Sequence, residues 1–376
     1  MRRDVEQAAS SLSLASLQRW YKKIASLDLA WLLRWHKKLA WIAGGALMLW
    51  GLSGVLHPIM SALSPKPLPL AAGKVLSPDV AVVAPGRLFL PAAKVQSLRL
   101  RMLGDTPAWR VGLSGSAVGL WFNASSGLAL LGADSAEAVR LARAALGDSS
   151  SKIRSITPIN EFNDAYPAMN KILPVWQVEF DRDDGMMAFV DTEGARLASL
   201  SDQRKRVLLP LFSALHSWSW ASTSVQRIGI SLLLGTVLLS MLSGLAMYGL
   251  RWRKDTLRRS HMARWHRSLG LLAGLAGLIL LASGLLHLWL ARPPLQVAAP
   301  APLAMLPELH GLPSGVSGLS AVNVNGVGYW LVDHVNKSLP SNTHAGHHQA
   351  QPVVNALPLY LNDHGAVQVG LAEQHA

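Results

Sequence analysis

Four of the thirteen histidines stand at matched positions in two apolar stretches of the chain. Trp35-His36 corresponds to Trp265-His266, and His57 corresponds to His287, with one offset (266 − 36 = 287 − 57 = 230 residues). Ten of the 23 positions from 35 to 57 are identical to their counterparts, including a Ser-Gly pair before the second histidine. Imidazole nitrogens bind haem iron and other transition metals, so these four side chains are candidate metal ligands.

The two histidines of each stretch are 21 residues apart (57 − 36 = 21). On a helix this is a rise of about 31 Å, with both side chains within roughly 60° on one face. A histidine inside hydrocarbon is costly and by default functional, although each of the four could also be an interfacial residue. Small residues beside them would admit a flat macrocycle: Gly44, Gly54, Gly274 and Gly284. The simplest assembly holds two b-type haems, the inner one between His36 and His266 and the outer one between His57 and His287.

His216 is an alternative outer ligand, because it lies in an uncharged run, Val207–Gln226, at the same external level. It could replace either His57 or His287, or contact a haem propionate. The chain has no Cys, which excludes disulfides, thiolate metal sites, iron–sulfur clusters and covalently attached c-type haem.

Composition places these histidines in a membrane protein. Half of the 376 residues are apolar and only 15% are charged, against about 25% in a typical soluble domain. Three stretches contain no Asp, Glu, Lys or Arg and exceed the roughly 20 residues that a span needs: Leu39–Leu63, Ile228–Leu250 and Ser268–Ala291. The sequence therefore predicts a membrane α-helical protein with three spans.

Two basic clusters predict its orientation. Residues 1–38 hold eight Lys and Arg against three acids, and residues 251–267 hold seven against one, so both should be cytoplasmic. Counting 207–227 as a further span would put the second cluster outside, so this segment is predicted to be an interfacial helix. Residues 64–206 and 292–376 then lie on the external side of the membrane. Orientation and anionic lipid headgroups explain the positive charge without a nucleic acid partner.

The region 64–206 contains a second repeat. Trp109 to Gly127 and Trp176 to Gly194 each run from an alternating apolar segment to a polar turn that ends in Gly, which is typical of a hairpin. Ser135–Leu146 has helical periodicity between them. The prediction is an α+β domain of two related units with both Trp in its core, preceded by a linker at 64–73. Val322–Val332 predicts strands in the C-terminal region.

Two polar segments offer further ligands. The loop 160–166 carries Glu161, Asp164 and Tyr166, whose hard oxygen atoms suit Fe(III) or another polar ligand and make them possible substrate contacts. An ordinary surface loop is the alternative. A stretch near the C-terminus could bind metal loosely or be a tail without a site: His344, His347 and His348.

Taken together, these motifs resemble the PepSY-associated transmembrane family, the iron-regulated inner-membrane proteins of Gram-negative bacteria. The resemblance covers residues 30 to 290 and is specific as a set, though each motif alone is weak. It rests on Trp35-His36, Leu173-Pro174-Val175-Trp176-Gln177-Val178-Glu179-Phe180, Val190-Asp191-Thr192-Glu193-Gly194, Leu215-His216-Ser217-Trp218, Ser243-Gly244-Leu245 and Trp265-His266-Arg267-Ser268-Leu269-Gly270.

Within that family the chain is similar to di-haem ferrisiderophore reductases. The resemblance implies a periplasmic PepSY-like domain, two haems b per chain, and electron transfer across the inner membrane to Fe(III) in a hydroxamate siderophore, which releases Fe(II). One departure limits it: the usual aromatic pair after the acidic loop is here Tyr166 followed by Pro167. If that loop touches substrate, the family's specificity does not carry over.

The electron donor is expected to be quinol or a separate cytoplasmic reductase, because the short cytoplasmic parts carry no nicotinamide or flavin fingerprint. Two other classes remain open from the sequence. One is a non-enzymatic haem- or metal-sensing membrane protein whose periplasmic domain binds a regulator or a peptidase. The other is a metal–siderophore permease, which three spans without a polar path disfavour.

Overall fold

The computed structural model describes residues 29–88, 94–251 and 261–290, the segments 311–324, 327–334, 359–361 and 367–369, and the single residues Leu303 and Leu309. The chain divides into a helical unit, residues 1–62 and 207–295, and a sheet unit, residues 63–206 and 296–376. Several predicted features lie outside the described residues: most of the N-terminal basic cluster, part of the basic loop, and His344, His347 and His348.

The described residues form five α-helices: α1 (Leu29–Leu63), α2 (Ala133–Leu146), α3 (Gln203–His216), α4 (Thr223–Arg251) and α5 (His261–Leu290). Helices α1, α4 and α5 are long and apolar enough to cross a membrane. Large apolar side chains on them stay exposed, as for Trp41 (86%), Leu272 (73%) and Ile279 (73%). Such a surface is unfavourable in water and suits hydrocarbon, which agrees with the three predicted spans.

These helices begin earlier than the charge-free stretches: at Leu29 instead of Leu39, at Thr223 instead of Ile228, and at His261 instead of Ser268. Lack of charge marks the hydrocarbon core, whereas backbone hydrogen bonding continues through the charged flanks. Both Trp-His pairs therefore lie inside helices rather than at their openings.

The run from Val207 to Gln226 is not one helix. Helix α3 ends at His216, and α4 begins at Thr223. Between them Trp218 has a positive φ of 54°, which interrupts helical geometry. With 14 residues, α3 is shorter than the roughly 20 residues that a span requires. The interfacial helix predicted over 207–227 is therefore divided between two helices, and its place relative to a membrane stays a prediction.

Small residues let the long helices approach. Ala43 and Ala46 of α1 pack with Val237 of α4 in a small apolar cluster. On α5, a Cβ added at Gly277 would lie 2.6 Å from Met241 Cε, closer than real contacts allow. Glycine at this position therefore permits the close packing of α4 and α5, and Met241 is a packing residue as its apolar surroundings imply.

The sheet unit contains two antiparallel sheets. The strands are β1 (Val95–Leu103), β2 (Thr106–Leu113), β3 (Leu120–Asn123), β4 (Ile153–Ile159), β5 (Val175–Phe180), β6 (Met187–Asp191), β7 (Arg196–Ser201), β8 (Val316–Val324), β9 (Val327–His334), β10 (Leu359–Leu361) and β11 (Val367–Val369). One sheet has the order β11-β10-β9-β8-β1-β2-β3, and the other has the order β4-β5-β6-β7.

Both predicted Trp hairpins are present. Trp109 on β2 lies opposite Phe122 on β3, and Trp176 on β5 lies opposite Val190 on β6. Both Trp are core residues, with 0% and 7% of their surface exposed. Helix α2 covers the predicted helical segment between the two hairpins and packs on the core of the second sheet.

A buried carboxylate joins the two repeat units. Asp134 Oδ1 accepts from Trp121 Nε1 at 2.8 Å, and Oδ2 accepts from Trp176 Nε1 at 2.7 Å and Gly119 N at 2.8 Å. Arg110 Nε donates to Oδ1 at 3.3 Å. Burial alone would raise the pKa of Asp134, but Arg110 and the three N–H donors outweigh it and hold the pKa below its usual range.

The described strands of the C-terminal region belong to the sheet unit. Strands β8 and β9 form a hairpin, and β8 pairs with β1, so that Arg99 lies opposite Ser320. The linker is tied to the same unit: Leu68 N donates to Ala145 O at 2.8 Å, and Leu76 N donates to Val316 O at 2.7 Å. Residues from three distant parts of the chain therefore build one folded unit.

Candidate functional site

The structure brings together the predicted inner pair. His36 of α1 and His266 of α5 have ring centroids 6.4 Å apart, with an angle of 60° between the ring planes. The ring of His36 is half-buried and that of His266 is exposed. Two distant segments with the same Trp-His pair thus place their imidazoles at one level of the helical unit.

One ring nitrogen of His36 is held by the neighbouring helix α4. His36 Nδ1 lies 2.9 Å from Ser243 Oγ and 3.1 Å from Ser240 O. Ser243 Oγ itself donates to Ser240 O at 2.8 Å, so its proton is already used and its lone pairs can accept from His36. These bonds require the proton on Nδ1, which leaves the lone pair of Nε2 for a metal ion.

Glycine makes room for this ring. A Cβ added at Gly244 would lie 3.3 Å from His36 Cε1, tighter than most real contacts. Glycine at position 244 therefore lets the imidazole of His36 lie close to the backbone of α4. On α5, a Cβ at Gly270 would meet nothing within 4 Å, so space remains one turn beyond His266.

The spacing of the inner pair suits two axial ligands of one haem. With metal–nitrogen bonds of about 2 Å and ring centres about 1 Å beyond each nitrogen, such imidazoles stand roughly 6 Å apart. The observed 6.4 Å agrees with this value. Among the described residues no three His, Asp or Glu side chains converge on a metal position, so a compact multi-ligand ion site has no donors there.

The predicted outer ligands are arranged differently. The ring of Phe212 on α3 lies 5.7 Å from His57 and stacks on His216 at 4.8 Å. His57 and His287 are exposed on α1 and α5, and His216 is half-buried. Phe212 thus lies beside both His57 and the alternative ligand His216.

His216 is held as His36 is held. His216 Nδ1 lies 3.1 Å from Ser53 Oγ, and Ser53 Oγ donates to Trp50 O at 3.2 Å. With the hydroxyl proton directed to Trp50 O, Ser53 Oγ accepts from Nδ1 and Nε2 keeps its lone pair, whereas a proton directed to Nδ1 would leave the imidazole proton on Nε2. Trp50 Nε1 donates to the carbonyl of His216 at 3.0 Å and fixes the end of α3 against α1.

Two Ser-Gly pairs therefore hold two histidines. Ser243-Gly244 on α4 holds His36, and Ser53-Gly54 on α1 holds His216, whose Cε1 would be 4.0 Å from a Cβ at Gly54. Sequence reasoning quoted both pairs as parts of a repeat or a motif but assigned them no contact. The sequence feature that could have indicated these contacts is the recurrence of Ser-Gly in apolar spans of a histidine-containing helical region.

The polar loop of the sheet unit separates into exposed and buried residues. Glu161 and Asp164 are exposed. Tyr166 is fully buried, its O–H donates to Ile172 O at 2.9 Å, and its ring stacks on Phe189 at 4.6 Å. Burial raises the pKa of this phenol, so it stays neutral. The side chain of Tyr166 therefore belongs to the core, whereas those of Glu161 and Asp164 lie at the surface.

In comparisons with known proteins, no family model matches the chain, and no curated protein or solved structure matches it significantly. The resemblance to the PepSY-associated family consequently stays a prediction.

Proposed function

We propose that this chain is a haem b oxidoreductase of the bacterial inner membrane that passes electrons across the membrane to Fe(III) in a periplasmic siderophore complex. The observation that carries the proposal is the inner pair, whose ring centroids are 6.4 Å apart, with Nδ1 of His36 already bonded. An imidazole with one nitrogen held by the protein and the other left for iron is the usual state of an axial ligand.

The pairing of β8 with β1 supports the proposed topology. Because these strands share one sheet, residues 95–103 and 316–324 occupy the same side of any membrane. The chain between Arg206 and Val316 must then cross an even number of times. Helices α4 and α5 provide two crossings, and a third by α3 would break the parity. The basic residues of the α4–α5 connection favour the cytoplasm for that loop and the periplasm for the sheet unit.

The residues of the chain have two tasks in this proposal. His36 and His266 hold the inner haem, and His216, with His57 or His287, holds the outer one. Bound haem supplies one-electron transfer. Ser243 and Ser53 keep the imidazole proton on Nδ1 of their histidines, which orients Nε2 and raises its basicity. A family-like hydroxamate would release the metal after one electron, because hard oxygen ligands bind Fe(II) less well than Fe(III).

The position of His216 shortens the path between the two levels. His57 is 21 residues beyond His36, a helical rise of about 31 Å. His216 contacts α1 at Ser53, which is 17 residues beyond His36 (53 − 36 = 17), a rise of about 26 Å. An outer haem held by His216 would lie about one turn closer to the inner haem, with Trp50 beside it.

The test uses the full chain in membrane vesicles of known orientation. A cytoplasmic reductant is supplied inside, and a ferric hydroxamate with an Fe(II) trap is supplied outside. Two haems b per chain in the purified protein and trans-membrane formation of Fe(II) support the proposal. A colourless protein refutes it. Bound haem without Fe(II) formation, with either quinol or a cytoplasmic reductase as donor, supports a haem sensor instead.

A further inference from the structure

The sheet unit contains a cavity of about 430 Å³ against strand β1. Its walls come from β1, α2, the linker, the β6–β7 turn and the C-terminal hairpin, all parts of the same unit. This volume falls in the range of small-molecule sites. Four cationic side chains line the cavity: Lys74, Arg99, Arg101 and Arg140.

Strand alternation places the arginines on one face of β1. Leu98 and Leu100 are fully buried on the face that forms the core of the first sheet. Arg99 and Arg101 take the alternate positions and point to the other face. Arg99 also lies opposite Arg110 of β2, so three guanidinium groups share that face. Like charges so close require nearby anions.

Carboxylates pair with three of the four cavity cations. Glu137 is shared by Arg101, at 3.3 Å, and Arg140, at 2.6 Å. Glu193 Oε2 accepts from Arg110, which also holds the buried Asp134. Lys74 pairs with Asp105 on the surface. Glu193 and Asp333 line the cavity as its two acidic residues among those described.

Arg99 and Arg101 both donate to backbone carbonyls beside the cavity. Arg99 NH1 donates to a neutral acceptor, Glu193 O, at 2.9 Å. Arg101 NH2 donates to Thr192 O at 2.7 Å, while its Nε is buried and has no hydrogen-bond partner among the described residues. Burial lowers the pKa of Arg101 to about 10, so it remains charged at neutral pH. Arg99 is therefore the one cavity cation that forms no salt bridge with a carboxylate among the described residues.

We infer that this cavity is a binding site for an organic anion that carries a carboxylate or phosphate group. Arg99 and Arg101 would bind the anionic group, since a guanidinium matches the geometry of both oxyanions. Leu70, Met102 and Leu141 give the cavity an apolar wall for the remainder of the ligand. The same oxyanion could be a free metabolite or the headgroup of a phospholipid.

The test measures binding by calorimetry to the full chain in an uncharged detergent. The probes are citrate, glycerol 3-phosphate and a short-chain phosphatidylglycerol. The test variant is Arg99→Gln, which removes one half-buried charge at the cavity. The matched control is Arg154→Gln, which removes one arginine charge on β4, where the side chain is 53% exposed and pairs with Glu179 and Asp181. Arg140→Gln, on the exposed surface of α2, is a second test variant.

We expect saturable binding of at least one probe by the parent protein. Arg99→Gln should weaken it by about tenfold or more, because it removes a charge-assisted contact. Arg140→Gln should weaken it less, because Glu137 already pairs with that charge, and Arg154→Gln should leave it within about twofold. Stronger binding of glycerol 3-phosphate or citrate would identify a free anion, and binding of the lipid alone would identify a headgroup. Absence of saturable binding, or equal affinity in the test and control variants, would overturn the site.

Discussion

His36 in the helical unit and Asp134 in the sheet unit are both polar groups in apolar surroundings, but the protein satisfies them to different extents. Both oxygens of Asp134 accept hydrogen bonds, from Trp121, Trp176, Gly119 and Arg110. His36 has its Nδ1 held by Ser243, and its Nε2 has no partner within the described residues. A buried group whose hydrogen bonds are all formed serves stability. A histidine with one nitrogen still unbonded, beside a second histidine, can bind a ligand, as the proposed function requires.

The two histidine levels differ in the same way. At the inner level His266 lies near His36, as the repeat predicts. At the outer level α3, which has no counterpart in the repeat, places Phe212 beside both His57 and His216. Sequence symmetry between α1 and α5 therefore does not require symmetric ligation, since an element outside the repeat can supply a ligand.

The largest expected effect follows removal of an inner ligand. His36→Ala and His266→Ala should each reduce the haem content from two to one per chain, because each leaves the same iron with one axial imidazole. Pyridine haemochrome analysis of the purified protein measures this content. His261→Ala, an exposed histidine at the start of α5, is the control and should keep both haems. Two haems in either inner variant would disprove the pair.

The next variants distinguish the outer ligands. His216→Ala should remove the outer haem, because Ser53 orients its imidazole as Ser243 orients that of His36. Either His57 or His287 should be the partner of His216, so only one of His57→Ala and His287→Ala should also lose the outer haem. Optical spectra of the reduced proteins measure the loss. If His216→Ala retains both haems while His57→Ala and His287→Ala each lose one, the symmetric arrangement predicted from the repeat is correct.

On the other side of the comparison, Asp134→Asn should destabilise the sheet unit by about 3–5 kcal/mol, since it leaves Arg110 without its buried counter-charge. Haem content should not change. Pulse proteolysis of the full chain in urea measures the stability. Asp181→Asn is the control, because its 54% exposed carboxylate pairs with Arg154 at the surface and should contribute less than about 1 kcal/mol.

The lowered pKa of Asp134 also predicts how the stability of the sheet unit depends on pH. The pKa of Asp134 is lowered in the folded state, so its contribution is complete above the unfolded value of about 3.9 and is lost as the pH falls through the lower, folded value. The parent protein should therefore lose stability below about pH 4, and Asp134→Asn should lose less over that range. Equal acid sensitivity in both proteins would show that other carboxylates control it.

Local patterns predicted much of this structure. Stretches without charge located the three long helices, and the Trp-to-Gly spacing located both hairpins, because each depends on neighbouring residues. The pairing of β8 with β1 joins residues more than 200 positions apart, and no local pattern specifies that register. The burial of Tyr166 was not predicted, because a phenol in a polar loop gives no sign of burial. The contact of His216 with Ser53 was not predicted, because it depends on how α3 packs against α1, and no local pattern in the sequence specifies that packing.

The smallest expected effect concerns the serine hydroxyls. Ser243→Ala should weaken inner haem binding by about 10–100-fold and shift its reduction potential, because loss of a hydrogen bond to the non-ligating nitrogen frees the imidazole to rotate. Ser53→Ala should act in the same way on the outer haem, through His216. Ser243→Thr, which keeps the hydroxyl, should restore most of the affinity. Ser283→Ala is a matched control, since this Ser-Gly pair on α5 repeats Ser53-Gly54 but its serine is exposed.

Haem transfer to apomyoglobin measures the affinities, and potentiometric titration measures the potentials. If Ser243→Ala and Ser283→Ala lose haem at the same rate and keep the parental potentials, then the Nδ1 bond of His36 only packs the helices. In that case His36 would resemble Asp134 more closely, as a polar group whose hydrogen bonds serve the fold. A selective effect of Ser243 on the inner haem and of Ser53 on the outer one would instead assign the two Ser-Gly pairs to ligand orientation.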